Sequence, residues 1–147
     1  MASHVSKQPF RAFTKQRHMF KALIVEDSPI FRRTLKWALC SRFPHMVVDE
    51  ATDGAEALQK IDALQPNLIF MDIRLPGESG LELTKRIKKD YPKMTIIILT
   101  NYDMPEYRQA AYEYGADYFL TKDTSIRDKF LALVESIASD LGFELEG

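Results

Sequence analysis

Five short apolar runs, separated by helical patterns, dominate the hydrophobic pattern of this sequence. The runs occupy positions 22–25, 46–48, 68–71, 96–99 and 118–120. Each has the length of a strand, and its apolar residues are consecutive rather than alternating, which indicates burial on both faces of a parallel sheet. No run approaches the roughly twenty apolar residues that a membrane-spanning helix needs, so we expect no contact with a membrane.

The segments between the runs have the capping residues and periodicity of helices. Ser28 followed by Pro29 is typical of an N-cap and a first helical turn, and Asp53 with Glu56 has the spacing of a capping box. On the first helix, the residues predicted to share one face are Ile30, Phe31, Thr34, Leu35, Ala38 and Leu39. Further helices are predicted over about 79–90, 105–114 and 125–141. Five strand–helix alternations predict a doubly wound α/β domain with a five-stranded parallel sheet.

The composition is that of one globular domain without covalent or metal cross-links. The chain has 147 residues, of which 46% are hydrophobic and 28% charged, which is enough for one well-buried core. Cys40 is the single cysteine, so no disulfide can form within the chain. His4, His18 and His45 show no ligand or nucleophile arrangement and are assigned to solvated loops. Because no disulfide can form within the chain, the predicted location is a reducing compartment, the cytoplasm.

Basic residues are concentrated at the amino terminus. The chain has 20 basic and 21 acidic residues, and its net charge of -1 does not favour a polyanionic partner. Residues 1–21 nevertheless contain basic side chains and no acidic one, which leaves the remainder acidic. We predict a flexible basic extension over residues 1–19, a domain over 20–141 and a short tail over 142–147. A mobile extension or a leader is favoured over an organelle transit peptide, and a secretory signal is excluded because the extension lacks a continuous apolar segment.

Ionic or reactive side chains follow four of the five runs. They are Glu26 and Asp27 after the first run, Asp72 after the third, Thr100 after the fourth and Lys122 after the fifth. The carboxyl ends of parallel strands meet at one edge of the sheet, so we expect these groups to share a cleft. Three carboxylates there would repel one another by about 1 to 4 kcal/mol for each pair at ~4 Å. Lys122 and a divalent cation would offset that repulsion.

The chemistry that such a cleft suits is phosphoryl transfer to an aspartate. Mg²⁺, or Mn²⁺ in its place, accepts one or two carboxylates and uses phosphate oxygens as further ligands. The metal and Lys122 would neutralise charge on the transferring group, while an aspartate can attack phosphorus to form an acyl phosphate. Nucleotide binding has no support, because the sequence contains neither a P-loop motif nor a glycine-rich dinucleotide turn.

Four segments of the chain carry a resemblance to a known family. They read KALIVEDS (21–28), NLIFMDIRLPGESGLEL (67–83), TIIILT (95–100) and GADYFLTKD (115–123). As a set, in this order and with these separations, they resemble the receiver domain of two-component response regulators. The resemblance covers about residues 20–141 and implies a flavodoxin-like (βα)5 fold with strand order 2-1-3-4-5.

The resemblance implies a role for each residue of the cleft. Asp72 would accept a phosphoryl group from a sensor histidine kinase or a histidine phosphotransfer protein. Glu26, Asp27, Asp72 and the backbone carbonyl of Arg74 would hold Mg²⁺. Lys122 would pair with the phosphoryl oxygens. The domain would thus be a phosphoacceptor in signalling rather than an enzyme that turns over a substrate.

The resemblance also implies a conformational switch. The Thr100 hydroxyl would turn inward to bond the phosphoryl group, and Phe119 occupies the position of the family's rotameric aromatic residue. The surface formed by the fourth helix, the fifth strand and the fifth helix would then change, signalling to a partner or an output domain or forming a homodimer.

Three positions depart from the family pattern. Asn101 follows Thr100 where a small residue is usual and would narrow access to the cleft, and Leu75 stands where Met is common. Asp123 stands where many members have Pro, a variant familiar among receivers attached to helix-turn-helix output domains. Since few residues follow the last predicted helix, the chain is either a stand-alone receiver or the receiver portion of a longer protein, and no direct nucleic-acid contact is expected from it.

Other interpretations of these residues remain open. Glu26 and Asp27 could cap the first helix, although Ser28 suits that role better, and Phe119 could be ordinary core. A Mg²⁺-dependent phosphatase of the haloacid-dehalogenase kind also phosphorylates an aspartate, but it needs a second Asp where this chain has Arg74. A receiver fold used as an interaction module without phosphorylation is the third alternative.

Tyrosines cluster between positions 102 and 118. Tyr107 and Tyr114 share a helical face with Ala110 and Ala111 and are predicted to be partly buried. Tyr102 and Tyr112 are predicted to be exposed, and they make this side of the domain a candidate interface.

Overall fold

A five-stranded parallel sheet with the order β2-β1-β3-β4-β5 forms the centre of the protein. The computed structural model describes residues 19–145, so the predictions for residues 1–18 and for the end of the tail lie outside the described residues. The strands are β1 (Lys21–Val25), β2 (Val47–Ala51), β3 (Leu68–Asp72), β4 (Thr95–Thr100) and β5 (Tyr118–Thr121). The predicted doubly wound, flavodoxin-like α/β fold and its strand order are confirmed.

Five helices connect the strands and cover the sheet. They are α1 (Pro29–Arg42), α2 (Gly54–Leu64), α3 (Gly80–Asp90), α4 (Pro105–Glu113) and α5 (Ile126–Asp140). Ranges were predicted for α3, α4 and α5, and their bounds agree with those ranges to within about one residue, inside the usual uncertainty of helix ends. Within residues 19–145, no helix is long and apolar enough to cross a membrane.

Helix α1 begins as predicted but buries a narrower face. The Ser28 hydroxyl accepts the N–H of Phe31 at 3.3 Å, and Pro29 occupies the first turn. The helix buries Leu35, Ala38 and Leu39, whereas Ile30 is 77% exposed and Thr34 is also exposed. The prediction for these two residues was wrong because the helical rotation places Thr34 about 100° and Ile30 about 140° away from Leu35.

The predicted capping box at α2 forms in a modified way. The Asp53 carboxylate accepts the N–H of Glu56 at 2.8 Å, as expected. The Glu56 carboxylate returns to the N–H of Thr52 at 2.8 Å rather than to the N-cap residue itself. The two hydrogen bonds therefore give acceptors to backbone N–H groups at the start of the helix that would otherwise be unpaired.

Strand β2 extends beyond the predicted run at 46–48. It continues through Asp49 and Glu50 to Ala51, because an edge strand tolerates polar side chains. Asp49 pairs with Lys60 at 3.2 Å, and Glu50 pairs with Arg32 at 3.1 Å and with Lys36 at 3.0 Å. These ion pairs attach the edge strand to the helices beside it.

Two hydrophobic clusters, one on each face of the sheet, form the core. Every residue of β3 is buried, as its unbroken apolar run predicted. One cluster packs β-strand side chains against α1 and α5, with Phe70 edge-to-face against Phe130 at a centroid distance of 5.9 Å. The other packs them against α2, α3 and α4. The two clusters fix where the carboxyl ends of the strands lie.

Gly80 lets the loop after β3 fold back on the strand. Its N–H donates to the carbonyl oxygen of Ile73 at 2.7 Å, and a Cβ at this position would clash with the carbonyl of Asp72. That carbonyl is backbone, so it cannot rotate away as a flexible side chain would. The loop that follows the candidate phosphoacceptor therefore depends on a glycine.

We expect Gly80→Ala to lower the free energy of unfolding by about 2 kcal/mol or more, because the added methyl group overpacks a backbone contact. Urea denaturation measures the change. Gly77→Asn is the matched control: Gly77 has a positive φ of 86° but open space around it, and Asn tolerates that conformation, so its loss should be smaller. Equal stability of Gly80→Ala and the wild type would contradict the close approach.

Candidate functional site

A cavity of about 390 Å³ opens at the carboxyl edge of the sheet. The turn after β1 brings Glu26 and Asp27 to it, β3 ends in Asp72, and the segment after β5 brings Lys122. Arg74, two residues beyond β3, also lines the cavity. The structure thus brings together groups that the sequence separates by up to 96 residues.

The three acidic side chains lie close enough to share one cation. Glu26 and Asp72 are buried, whereas Asp27 is exposed to solvent. One carboxylate oxygen from each residue lies within 4.8 Å of the others. Hard oxygen donors with one exposed member fit Mg²⁺, which binds one or two carboxylates and retains several waters.

Lys122 is a largely buried cation of the cavity, with its side chain 9% exposed. Its Nζ lies 2.6 Å from Oε1 of Glu26 and 3.5 Å from Oδ2 of Asp72, and it also lies 4.3 Å from the centroid of the Phe31 ring. A buried ammonium needs such partners, because a charge without them is costly to remove from water. Lys122 therefore bridges two carboxylates, with the shorter contact to Glu26.

Glu26 also contributes to the start of helix α1. Its second carboxylate oxygen accepts the N–H of Ser28 at 3.0 Å. The capping interpretation and the Lys122 contact thus apply to the same side chain. Asp27 does not share this arrangement, since its carboxylate faces solvent.

Arg32 holds the backbone beneath the acidic pair, a role that the sequence analysis missed. Its Nη1 donates to the carbonyl oxygen of Glu26 at 2.8 Å, and its Nε donates to Glu50 at 3.1 Å. The side chain therefore ties the end of β1 to edge strand β2. The helical periodicity of α1 carries no signal for this contact, because Glu50 lies 18 residues away in the sequence.

The pKa of Asp72 is raised to about 6 from its ordinary value of 3.8. Burial is the largest cause and the negative charge of Glu26 the second, while the ammonium of Lys122 acts in the opposite direction. Removal from water and a neighbouring like charge both disfavour the ionised carboxyl group. Without a bound cation, ionising the Asp72 carboxyl group in the folded protein therefore costs free energy.

Thr100 and Phe119 lie behind the cavity rather than in its lining. Thr100 is fully buried at the end of β4, and its hydroxyl accepts the N–H of Tyr102 at 3.1 Å. Phe119 is buried on β5, with the guanidinium of Arg108 lying 4.5 Å from its ring centroid. Phe119 is thus part of the core in this conformation, and one of its contacts reaches helix α4.

The remaining sequence predictions for this region concern Asn101 and the tyrosines. Asn101 is exposed and lines the cavity, and its effect on access to the site stays a prediction. Tyr102 and Tyr112 are exposed, while Tyr107 and Tyr114 are partly buried, as predicted.

Comparisons with known proteins agree with this geometry. The family model for the response regulator receiver domain matches residues 22–135. The transcriptional regulatory protein YdfI of Bacillus subtilis is 35% identical over 123 residues, which are 84% of this chain and 57% of that protein. A receiver domain protein (CheY-like) from Methanospirillum hungatei superposes with a TM-score of 0.74 at 29% identity, covering 84% of this chain and 97% of that chain.

The chain belongs to the response regulator receiver domain family. A two-component response regulator of the LuxR family, from an Aurantimonas species, also superposes with a TM-score of 0.74, at 30% identity over 83% of this chain and 86% of that chain. The receiver domain spans less than two-thirds of the curated relatives that it matches, 57% of YdfI and 60% of the VraR protein of Staphylococcus saprophyticus.

We expect Asp72→Asn to stabilise the metal-free receiver domain at pH 7.5 by about 1 to 2 kcal/mol. A shift of one pKa unit is worth about 1.4 kcal/mol, and residual solvent contact of the carboxyl group reduces the effect. The raised folded-state pKa means that ionising Asp72 costs stability as the pH rises from 3.8 through about 6. The advantage of the variant should therefore be full above pH ~6 and vanish below ~4.

Thermal melts in chelator across this pH range measure the difference. Asp128→Asn, which neutralises an exposed acid in the first turn of α5, is the control and should change stability by less than about 0.5 kcal/mol. A destabilised Asp72→Asn, or an advantage that does not depend on pH, would contradict the electrostatic account.

Proposed function

We propose that this receiver domain accepts a phosphoryl group on Asp72 from the phosphohistidine of a sensor histidine kinase or a histidine phosphotransfer protein. The observation that carries the proposal is the placement of Asp72, at the end of β3, between Lys122 and two further carboxylates in an open cavity. Phosphoryl acceptance is the general function of the family. The assignment of Asp72 as its site in this chain is the proposal.

The transfer is a displacement at phosphorus. An Oδ of Asp72 forms a bond to phosphorus as the P–N bond of the phosphohistidine breaks, and the imidazole nitrogen keeps the electron pair. The product is an acyl phosphate on Asp72 and a free histidine. Lys122 would contribute positive charge beside the phosphoryl oxygens, which is the main contribution a protein makes to this reaction.

The acidic cluster is proposed to hold Mg²⁺. Glu26, Asp27 and Asp72, with the backbone carbonyl of Arg74, are the candidate ligands, and their oxygen chemistry also accepts Mn²⁺. When bound, the metal would supply positive charge for the phosphoryl oxygens and for the clustered carboxylates. Glu26 is engaged by Lys122 and by the N–H of Ser28, so its contribution to the metal would be through charge as much as through direct contact.

Phosphorylation would act on Thr100 by giving its hydroxyl a new hydrogen-bond acceptor. The hydroxyl accepts the N–H of Tyr102 in the absence of a phosphoryl group. A phosphoryl group of about -1.5 to -2 charge would accept a hydrogen bond from the Thr100 O–H and draw the hydroxyl towards it. Moving the hydroxyl would release the segment after β4 and allow Phe119 to change rotamer. This change would shift the population of the surface formed by α4, β5 and α5 from one conformation to another.

Partners of the whole protein are proposed from its relatives. A histidine kinase or phosphotransfer protein supplies the phosphoryl group, and a DNA-binding output domain is proposed because one similar protein is named a transcriptional regulator and another belongs to the LuxR family. A homodimer through α4, β5 and α5 would use the exposed Tyr112 and Tyr118. We propose the cytoplasm as the compartment in which these partners meet.

Incubation with Mg²⁺ and acetyl phosphate should give one phosphoryl adduct by intact-mass spectrometry, and Asp72→Asn should give none. Asp123→Asn is the matched control, because Asp123 lines the same cavity but lies outside the acidic cluster. It should retain the adduct. An adduct on Asp72→Asn would contradict the assignment, and repeated turnover of a chromogenic phosphomonoester would favour the phosphatase interpretation.

Thr100→Val should separate phosphoryl acceptance from switching. The variant keeps the shape of the buried side chain and loses the hydroxyl, so it should still form the adduct. In the wild type, phosphorylation should change hydrogen–deuterium exchange in α4 and β5, whereas in Thr100→Val that change should be absent or much smaller. Identical exchange responses in the two proteins would show that Thr100 does not transmit the signal.

A further inference from the structure

Arg74 is placed at the cavity with no anionic partner in the described part of the chain. Its side chain is exposed, lines the cavity together with Asp72, and forms no ion pair with any carboxylate of residues 19–145. Its guanidinium carbon lies 4.1 Å from the centroid of the Tyr102 ring. Stacking covers one face of a guanidinium and leaves the N–H groups along its edge able to donate.

Tyr102 is itself held at two points. Its N–H donates to the hydroxyl of Thr100 at 3.1 Å, which ties its backbone to the end of β4. Its ring packs edge-to-face against Tyr107 of α4, with a centroid distance of 6.2 Å and an interplanar angle of 82°. The ring on which Arg74 rests therefore has a defined position, although it is 38% exposed. A flexible arginine gains a preferred orientation from this support.

The charges of the cavity leave a phosphoryl group incompletely neutralised. Lys122, a largely buried cation of the cavity, is engaged by Glu26 at 2.6 Å. Glu26, Asp27 and a phosphoryl group of about -2 outweigh one divalent cation and one ammonium by about one unit charge. Asp123, which also lines the cavity, is left out of this count because it pairs with Lys129 at 3.6 Å. Arg74 is the other cationic side chain in the lining. A planar guanidinium matches phosphate oxygens with two parallel hydrogen bonds.

We propose that Arg74 is a second phosphoryl-binding cation of this site and that Tyr102 is the residue that positions it. The inference rests on the proposed function, since it assigns a further ligand to the same phosphoryl group. Arg74 would bind the incoming phosphodonor and then the phosphoryl oxygens of the acyl phosphate. Because Tyr102 also contacts Thr100 and Tyr107, the same ring would link the bound phosphoryl group to α4.

Beryllofluoride in the presence of Mg²⁺ is the equilibrium probe, because it mimics a phosphoryl group without a covalent transfer. Arg74→Gln should weaken its binding by about tenfold, as expected for the loss of a charge-assisted bidentate contact. Arg74→Gln should slow phosphorylation by acetyl phosphate in the same proportion. Affinity for Mg²⁺ alone should not fall, since the variant keeps the backbone carbonyl. Arg33→Gln is the matched control, an exposed arginine of α1 outside the cavity lining, and it should bind beryllofluoride as the wild type does.

Two substitutions at Tyr102 test the positioning role. Tyr102→Leu removes the ring and should weaken beryllofluoride binding in the same direction as Arg74→Gln, whereas Tyr102→Phe keeps the ring and should bind like the wild type. Wild-type affinity should also fall more steeply with salt than that of Arg74→Gln, because one cation fewer faces the anion. If Tyr102 had a merely structural role, Tyr102→Leu would change the melting temperature but would keep the salt dependence of the wild type.

The outcomes separate this inference from the proposed function. If the wild type binds beryllofluoride and Arg74→Gln binds it with the same affinity, the role of Arg74 is overturned and Asp72 remains the proposed acceptor. Loss in Arg74→Gln with no loss in Tyr102→Leu would overturn the positioning role of Tyr102. Failure of the wild type to bind beryllofluoride and to accept a phosphoryl group would overturn both the inference and the proposed function.

Discussion

The buried contact between Lys122 and the carboxylates of Glu26 and Asp72 is the constraint on which the site depends. It places one ammonium 2.6 Å and 3.5 Å from two carboxylates that are nearly closed to water. Burying such groups is costly unless each has a partner in good geometry, and that geometry requires three strand ends to lie in register. The parallel pairing of β1 with β3, of β3 with β4 and of β4 with β5 supplies the register.

The same constraint connects stability to chemistry. Lys122 offsets part of the negative charge, but the pKa of Asp72 remains raised to about 6 because burial and Glu26 outweigh the ammonium. Without a cation, or a modification that removes the charge of Asp72, ionising this carboxyl group therefore lowers the free energy of unfolding. In the proposed reaction, a phosphoryl group would convert that carboxylate into an acyl phosphate and move the negative charge outward, towards Lys122, Arg74 and a metal. Ligand binding and the stability of the fold are thus coupled through one cluster.

Local patterns in the sequence predicted most of the fold. The unbroken runs predicted all five strands. Burial on both faces explains the signal in β1, β3 and β4, whereas the edge strands β2 and β5 are only partly buried, contrary to the expectation for their runs. The cap at Ser28 was predicted for the same reason, since its partner is the N–H of Phe31. The face of α1 was predicted less well, because Ile30 and Thr34 fit a helical period but lie on an exposed stripe. The end of β2 was missed because Glu50 is polar and finds its partners on α1.

The candidate site was predicted as a set of residues but not as a set of contacts. That Glu26, Asp27, Asp72 and Lys122 would converge follows from the edge at which parallel strands end. The pairing of Lys122 with Glu26, the clamp of Arg32 on the Glu26 carbonyl and the stacking of Arg74 on Tyr102 depend on side-chain orientation between distant segments. No spacing in the sequence reports such contacts, so they required the three-dimensional arrangement.

The most direct test of this account is a carbon NMR titration of the Asp72 carboxyl group, with and without Mg²⁺. The account predicts a midpoint near pH 6 in chelator that moves downward when Mg²⁺ is added, because a cation stabilises the ionised form. It also predicts a lower midpoint in Glu26→Gln, provided that the variant is folded. A midpoint near the ordinary value of 3.8 in chelator, unmoved by Mg²⁺, would contradict the claim that a buried carboxylate cluster governs this site.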